Sequence, residues 1–159
     1  MNPKSLACAL IASSAVLRAS LPLLAADSLP WPWKSKLPPD PALVELVSIE
    51  DVSIVVSKSN PPMVSITVNA SAPTPNYSEL QLTPRIGDPS DQIFAFDAKG
   101  RPPQDMTIQV VTPVIFTVEF AGAPIEKLGV VEVNAQGNCK AFSVKENKAA
   151  GCTSESTPQ

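Results

Sequence analysis

The chain has 159 residues, with 12 basic and 15 acidic side chains and no histidine. A modestly acidic chain without a basic stripe is poorly suited to bind nucleic acid or an anionic membrane surface. The lack of histidine removes the usual general base near neutral pH and the commonest metal ligand, so we expect no cofactor and no metal site. Chemistry carried by carboxylates remains open.

The first 26 residues have the organisation of an export signal. Lys4 supplies the positive start, the mostly apolar run 5–17 follows, and Ala25-Ala26 precede Asp27. We predict a signal peptide over 1–26 and a secreted or periplasmic mature chain, with a second possible cleavage site at 13–15. The alternative is an uncleaved membrane anchor over 5–26, in which burial of Arg18 would cost about 2.5–3.5 kcal/mol. Contact with a membrane is expected only in that alternative.

Cleavage would leave two cysteines, Cys139 and Cys152, and a balance of 10 basic against 15 acidic residues. An even pair in an exported chain predicts a disulfide, here one that ties the polar tail 146–159 to the last strand. The spacing fits no CxxC redox motif, and no further cysteine or histidine completes a zinc site.

Residues 27–41 are rich in proline and are predicted to form a linker or arm. Both tryptophans of the protein, Trp31 and Trp33, lie in it. One interpretation makes them a possible contact for a partner. The other folds one or both rings back over an end of the domain core, and the cost of exposing a tryptophan pair to water favours it.

Between residues 42 and 145, apolar and polar residues alternate with period two, which predicts short strands separated by turns. The pattern is clearest where Val64, Ile66 and Val68 alternate with polar residues. Seven to nine such strands predict an all-β, immunoglobulin-like antiparallel β-sandwich over 42–145, with a small β-barrel as the alternative. The predicted strands are 43–49, 52–57, 63–70, 80–82, 93–96, 106–110, 114–120, 128–133 and 139–144.

Several short motifs carry a resemblance to a known group. They are Pro89-Ser90-Asp91-Gln92-Ile93, Phe94-Ala95-Phe96-Asp97-Ala98, Pro102-Pro103, Gln109-Val110-Val111-Thr112-Pro113-Val114 and Gly129-Val130-Val131-Glu132-Val133-Asn134. This pattern, over about residues 89–134, resembles small exported bacterial proteins of unknown function. Gln92 stands where those proteins usually have glycine, and their tryptophan-containing segment before Asn76 is missing. The resemblance implies a compact exported β domain with an immunoglobulin-like sandwich, and no particular activity.

The sequence contains no phosphate-binding loop, no GxSxG elbow and no histidine-based triad. We therefore expect an exported, non-enzymatic binding or interaction module whose partner is an unknown protein or surface ligand. One alternative is a protease inhibitor that presents a rigid, proline-flanked loop at 60–63 or 121–125. Others are a carboxylate-dependent hydrolase using Asp91 or Asp97, and a structural subunit that assembles through an exposed edge strand.

Overall fold

A computed structural model describes residues 28–35, 40–85 and 92–153 of the chain. The predicted signal peptide, residues 27 and 36–39 of the predicted arm, residues 86–91, which include Asp91, and the tail after residue 153 lie outside the described residues. In the part that is described, no helix is both long enough and apolar enough to cross a membrane.

The described residues form ten strands, one single-turn helix and one 3₁₀ turn. Their bounds, in chain order, are β1 Leu29–Pro30, α1 Pro32–Ser35, β2 Val44–Glu45, β3 Ser48–Ser57, β4 Met63–Ala72, β5 Ser78–Pro84, β6 Ile93–Arg101, β7 Thr112–Ala121, the 3₁₀ turn Ile125–Lys127, β8 Val130–Asn134, β9 Cys139–Ser143 and β10 Lys148–Ala150.

The strands belong to two sheets. The first has the order β1-β7-β4-β3. In the second, β10, β9, β8 and β6 follow one another, and β5 pairs with the other edge of β6. Lys99 of β6 pairs with Glu45 of β2 on one side and with Gln81 of β5 on the other, so β2 and β5 lie on opposite edges of β6. β8 also lies opposite β5, and the short β2 therefore shares the edge of β6 that β8 uses. Two separate sheets confirm the predicted all-β sandwich, and no closed barrel forms among the described strands.

The sheets are mixed, which corrects the prediction that they are antiparallel throughout. β8 runs parallel to β6, with Ile93 opposite Val130, and β1 runs parallel to the end of β7. The reason lies in the connections: the chain leaves β6 at one end of the sandwich, returns along β7, and so enters β8 from the end at which β6 began. Period-two alternation predicts that a segment is a strand, but it carries no information on strand direction.

Three further details of the strand prediction were wrong. The predicted strand 93–96 ends too early, because β6 continues to Arg101. Residues 106–110, predicted as a strand, make no strand pairing among the described residues, while Lys148–Ala150 of the predicted polar tail do pair with β9. Alternation of apolar and polar residues alone therefore does not decide whether a segment pairs with a neighbouring strand.

The core between the sheets is built around an aromatic cluster. Phe94 and Phe96 of β6 face Phe120 of β7 across the sandwich, and Trp31 fits between them with ring centroids 5.2, 6.1 and 5.6 Å away. Trp31 is 2% exposed, and its backbone N–H donates to the carbonyl of Ala121 at 3.0 Å. The segment that carries β1 and Trp31 thus covers the core on the side of the sandwich next to β7.

The disulfide joins Cys139 and Cys152, as predicted. β9 and β10 form a hairpin in which Ala141 lies opposite Ala150, and the same register places the two cysteines directly opposite each other. Beyond the disulfide, the backbone N–H and the hydroxyl of Thr153 both donate to the carboxylate of Glu132, which is 1% exposed. The disulfide therefore holds the start of the tail over an acidic side chain on the outer face of the second sheet.

Candidate interaction surface

The most unusual feature of the surface is the segment Met106–Val111, called here the apolar segment. Met106 is fully exposed, and Ile108, Val110 and Val111 are exposed by 71%, 51% and 59%. Monomeric proteins tolerate single exposed apolar side chains, but several in one contiguous patch typically mark an interaction site. Ile115, four positions further along the chain on β7, is also exposed, by 72%.

The backbone of the apolar segment also pairs with none of the strands that the structure describes. Its backbone–backbone hydrogen bond among the described residues is local, from the N–H of Val110 to the carbonyl of Ile108. The carbonyl of Val110 accepts a second local bond from the hydroxyl of Thr112. The segment therefore combines strand-forming side chains with backbone groups that no neighbouring strand uses, which is the arrangement by which one chain adds a strand to another.

The other edges of the two sheets are protected against such pairing. Asn138 covers the start of β3: its side-chain amide donates to the carbonyl of Ile49 at 2.8 Å, and its side-chain oxygen accepts from the Ile49 N–H at 2.7 Å. The edge strands β3, β5 and β10 also carry charged residues, and charge on an edge opposes pairing with another chain. By contrast, residues 106–118 carry no charge, and β1 covers β7 only at Phe120 and Ala121.

An open cleft of about 450 Å³ borders the apolar segment at one end of the sandwich. The β4–β5 loop and the β6–β7 connection form its two walls. Its lining is Pro73, Thr74, Tyr77, Pro102, Pro103, Asp105, Met106, Thr107 and Gln109. The cleft is thus continuous with the apolar segment, whose first residues form part of its wall.

Tyr77 gives the cleft a rigid aromatic wall. Its ring lies against β6 at Gly100, where an added Cβ would approach the Tyr77 Cδ1 atom to 3.0 Å and the Leu80 Cδ2 atom to 2.8 Å. Glycine at position 100 is therefore required for the close approach of the ring. Burial raises the pKa of the Tyr77 phenol above its ordinary value.

Arg101 anchors the strand end from which the β6–β7 connection starts. Its guanidinium contacts Glu79 at 2.8 Å and Asp40 at 2.9 Å, so one side chain joins β6 to β5 and to the segment before β2. The hydrogen bond and charge of Glu79, followed by the charge of Asp40, raise the pKa of Arg101 above its ordinary value. The apolar segment therefore begins a few residues after Arg101, whose side chain is held by two ion pairs.

The structure describes one of the two acidic residues of the hydrolase hypothesis. Asp97, one candidate of the hydrolase hypothesis, accepts a 2.6 Å bond from the Nε of Arg85, and Asp105 is the single carboxylate that lines the cleft. Among the residues that the structure describes, no three cysteine, aspartate or glutamate side chains group closely enough to hold a metal ion. Asp91, the other candidate, lies outside the described residues.

The two loops of the inhibitor hypothesis meet at the opposite end of the sandwich from the cleft. The N–H of Gly122 donates to the carbonyl of Pro62 at 2.8 Å. In the loop 121–125, however, Ala123 is 3% exposed and Ile125 packs against the core, so this loop is held down on the domain. Of the two loops, the one that could be presented to a protease is therefore the β3–β4 loop, whose residues 57–61 are exposed.

Of the residues singled out from the sequence, Trp31 lies in the core, and Trp33 packs on the same cluster at 5.0 Å from both Phe94 and Phe96. This arrangement agrees with the packing interpretation, since the Trp31 ring has almost no surface to offer a partner. The apolar segment was not predicted from the sequence as a contact surface. Its signal was the uncharged stretch 106–118, which is unusual in a chain with 17% charged residues.

Comparisons with protein-family models, with curated proteins and with solved structures give no match to this chain. The resemblance to small exported proteins therefore stays a prediction, and the geometry of the chain itself is the basis for inferring its function.

Proposed function

We propose that the mature chain is an exported, non-enzymatic interaction module that binds an extended segment of a partner polypeptide along Met106–Val111. The observation that carries the proposal is the coincidence, in one segment, of four exposed apolar side chains with backbone groups that no described strand pairs. Strand addition uses both features: main-chain hydrogen bonds give affinity, and alternate side chains give specificity.

Export is the second part of this proposal. The disulfide Cys139–Cys152 is of the kind that forms and persists in oxidising compartments, which agrees with the predicted signal over residues 1–26. An extracytoplasmic location would also suit an exposed strand-forming segment, because the mature chain would meet its partner outside the crowded cytosol. The acidic mature balance gives no support to nucleic acid as that partner.

A photo-crosslinking comparison tests the contact surface. A photoreactive amino acid replaces Gln109 in the apolar segment or, as the matched control, the exposed Lys58 at the end of the β3–β4 hairpin. Each exported chain is irradiated in the native exported fraction. We expect adducts of defined mass from position 109 and none from position 58, and we expect Ile108→Lys to remove them.

The Ile108→Lys variant should keep its fold, because the side chain is 71% exposed. Its free energy of unfolding should stay within about 0.5 kcal/mol of the parent. Equal labelling from positions 58 and 109, or adducts that persist in a folded Ile108→Lys variant, would contradict the proposed surface.

A further inference from the structure

We infer that the strand taken up by the apolar segment is the same segment of a second copy, so that the chain forms a two-fold symmetric dimer by antiparallel pairing of Met106–Val111. This inference rests on the proposed interaction surface and names its partner. It is drawn from the sequence of the segment, the charges around it and the amount of surface that it offers.

The segment is self-complementary in one antiparallel register. With the two-fold axis passing between the two copies of Ile108, Met106 lies opposite Val110 and Thr107 lies opposite Gln109. Residues directly opposite in an antiparallel pair point to the same face, so this register joins Met106 to Val110 and Ile108 to Ile108 on one face. On the other face it joins Thr107 to Gln109, and at the margin of that face Val111 lies opposite Asp105. A shift by one residue would place Ile108 opposite Gln109 and mix the two faces.

The charges around the segment do not oppose this pairing. Asp105 would lie opposite Val111 of the second copy, and the next charged residue along the chain is Glu119. No acid therefore meets an acid across the pair, although the mature chain as a whole is acidic. A different protein that recognised the segment by complementary charge would need charged residues in it, and Met106–Val111 contains none.

The size of the surface sets the expected strength. The patch is a few side chains wide, whereas standard interfaces involve about 20–30 residues on each side. We therefore expect a reversible dimer that dissociates on dilution and not an obligate one. A C2 contact of this kind closes on itself, because each copy uses its own segment once.

Light scattering on the size-fractionated exported chain tests the dimer. We expect the mass to rise from that of one chain toward that of two with increasing concentration, and Ile108→Lys to remain monomeric over the same range. The matched control is Val55→Lys, since Val55 is 67% exposed on β3, away from the apolar segment. That variant should dimerise like the parent; a parent that stays monomeric at the highest concentration overturns the inference.

Cysteine crosslinking tests the register. Cys8→Ser is included in every variant, so that no free thiol remains besides the introduced one, whether or not the signal is cleaved. In the proposed register the two copies of residue 108 are directly opposite, with Cα atoms about 4.5–5.5 Å apart, a distance that a disulfide spans. Ile108→Cys should therefore form a covalent dimer on mild oxidation.

Thr107→Cys and Gln109→Cys serve as matched controls for that experiment. Each is offset from its own copy by two residues, at about 7–8 Å, so neither should crosslink efficiently alone. Mixed together they become opposite neighbours and should form the covalent heterodimer. Equal crosslinking of all three single variants overturns the register, and photo-adducts that contain only a foreign protein overturn the dimer while leaving the proposed function standing.

Discussion

Replacing Trp31 by alanine should lower the free energy of unfolding by about 3–5 kcal/mol, a large part of the ~5–15 kcal/mol that holds a typical domain together. The ring is 2% exposed and contacts Phe94, Phe96 and Phe120, which belong to both sheets. Its removal leaves a cavity at the point where the sheets are joined. Urea unfolding followed by far-ultraviolet circular dichroism measures the change.

Trp33→Ala is the matched control for that substitution. Trp33 also packs on Phe94 and Phe96 but is only half-buried, so its removal should cost clearly less than that of Trp31. A Trp31→Ala variant that loses under about 1 kcal/mol would show that the N-terminal segment is not part of the core. Equal losses for the two tryptophans would contradict the different burial that the structure assigns them.

Replacing both Cys139 and Cys152 by serine should lower the free energy of unfolding by about 3 kcal/mol, because the closed loop is short and the crosslink restricts mainly the unfolded chain. The two cysteines are 13 positions apart in the sequence. The same double variant should release Thr153 from Glu132, so the tail after β10 should become sensitive to proteolysis under conditions in which the parent tail is resistant.

The control for the disulfide variant is the parent chain in the presence of a reducing agent, which should unfold at the same denaturant concentration as the double serine variant. A second control, Glu132→Gln, removes the charge that Thr153 contacts but keeps the crosslink. Tail cleavage in Glu132→Gln at the rate of the double serine variant would show that the disulfide does not hold the tail. An unchanged free energy of unfolding in the double serine variant would contradict its stabilising role.

The alternation of Val64, Ile66 and Val68 with polar neighbours predicts β4 because one face of that strand is buried and the other meets water. The same reasoning predicts β7, and the two cysteines predict their own disulfide. The strand is predicted by its own local sequence. The disulfide is predicted because Cys139 and Cys152 are the two cysteines that the predicted mature chain contains. For this reason they can be derived from the sequence.

The apolar segment shows what alternation cannot supply. Met106, Ile108 and Val110 have the spacing of a strand, yet no described strand lies beside them. Whether strand-forming sequence finds a neighbour depends on how the connections between sheets run, and these are set by contacts far apart in the chain. The parallel pairing of β6 with β8 was missed for the same reason, and Trp31 could be placed in the core only by the energetic cost of exposing it.

Amide hydrogen exchange of residues 106–111 tests the proposed surface most directly. In the dilute, isolated chain these amides should exchange fast, apart from that of Val110, which has its local bond to Ile108, because no described strand pairs with them, while the amides of β4 stay protected. At high concentration, and in the native exported fraction, exchange at 106–111 should slow by tenfold or more if the segment gains a strand partner, an effect of about 1.4 kcal/mol. Slow exchange already in the dilute chain, or equally fast exchange in every condition, would contradict strand addition at this segment.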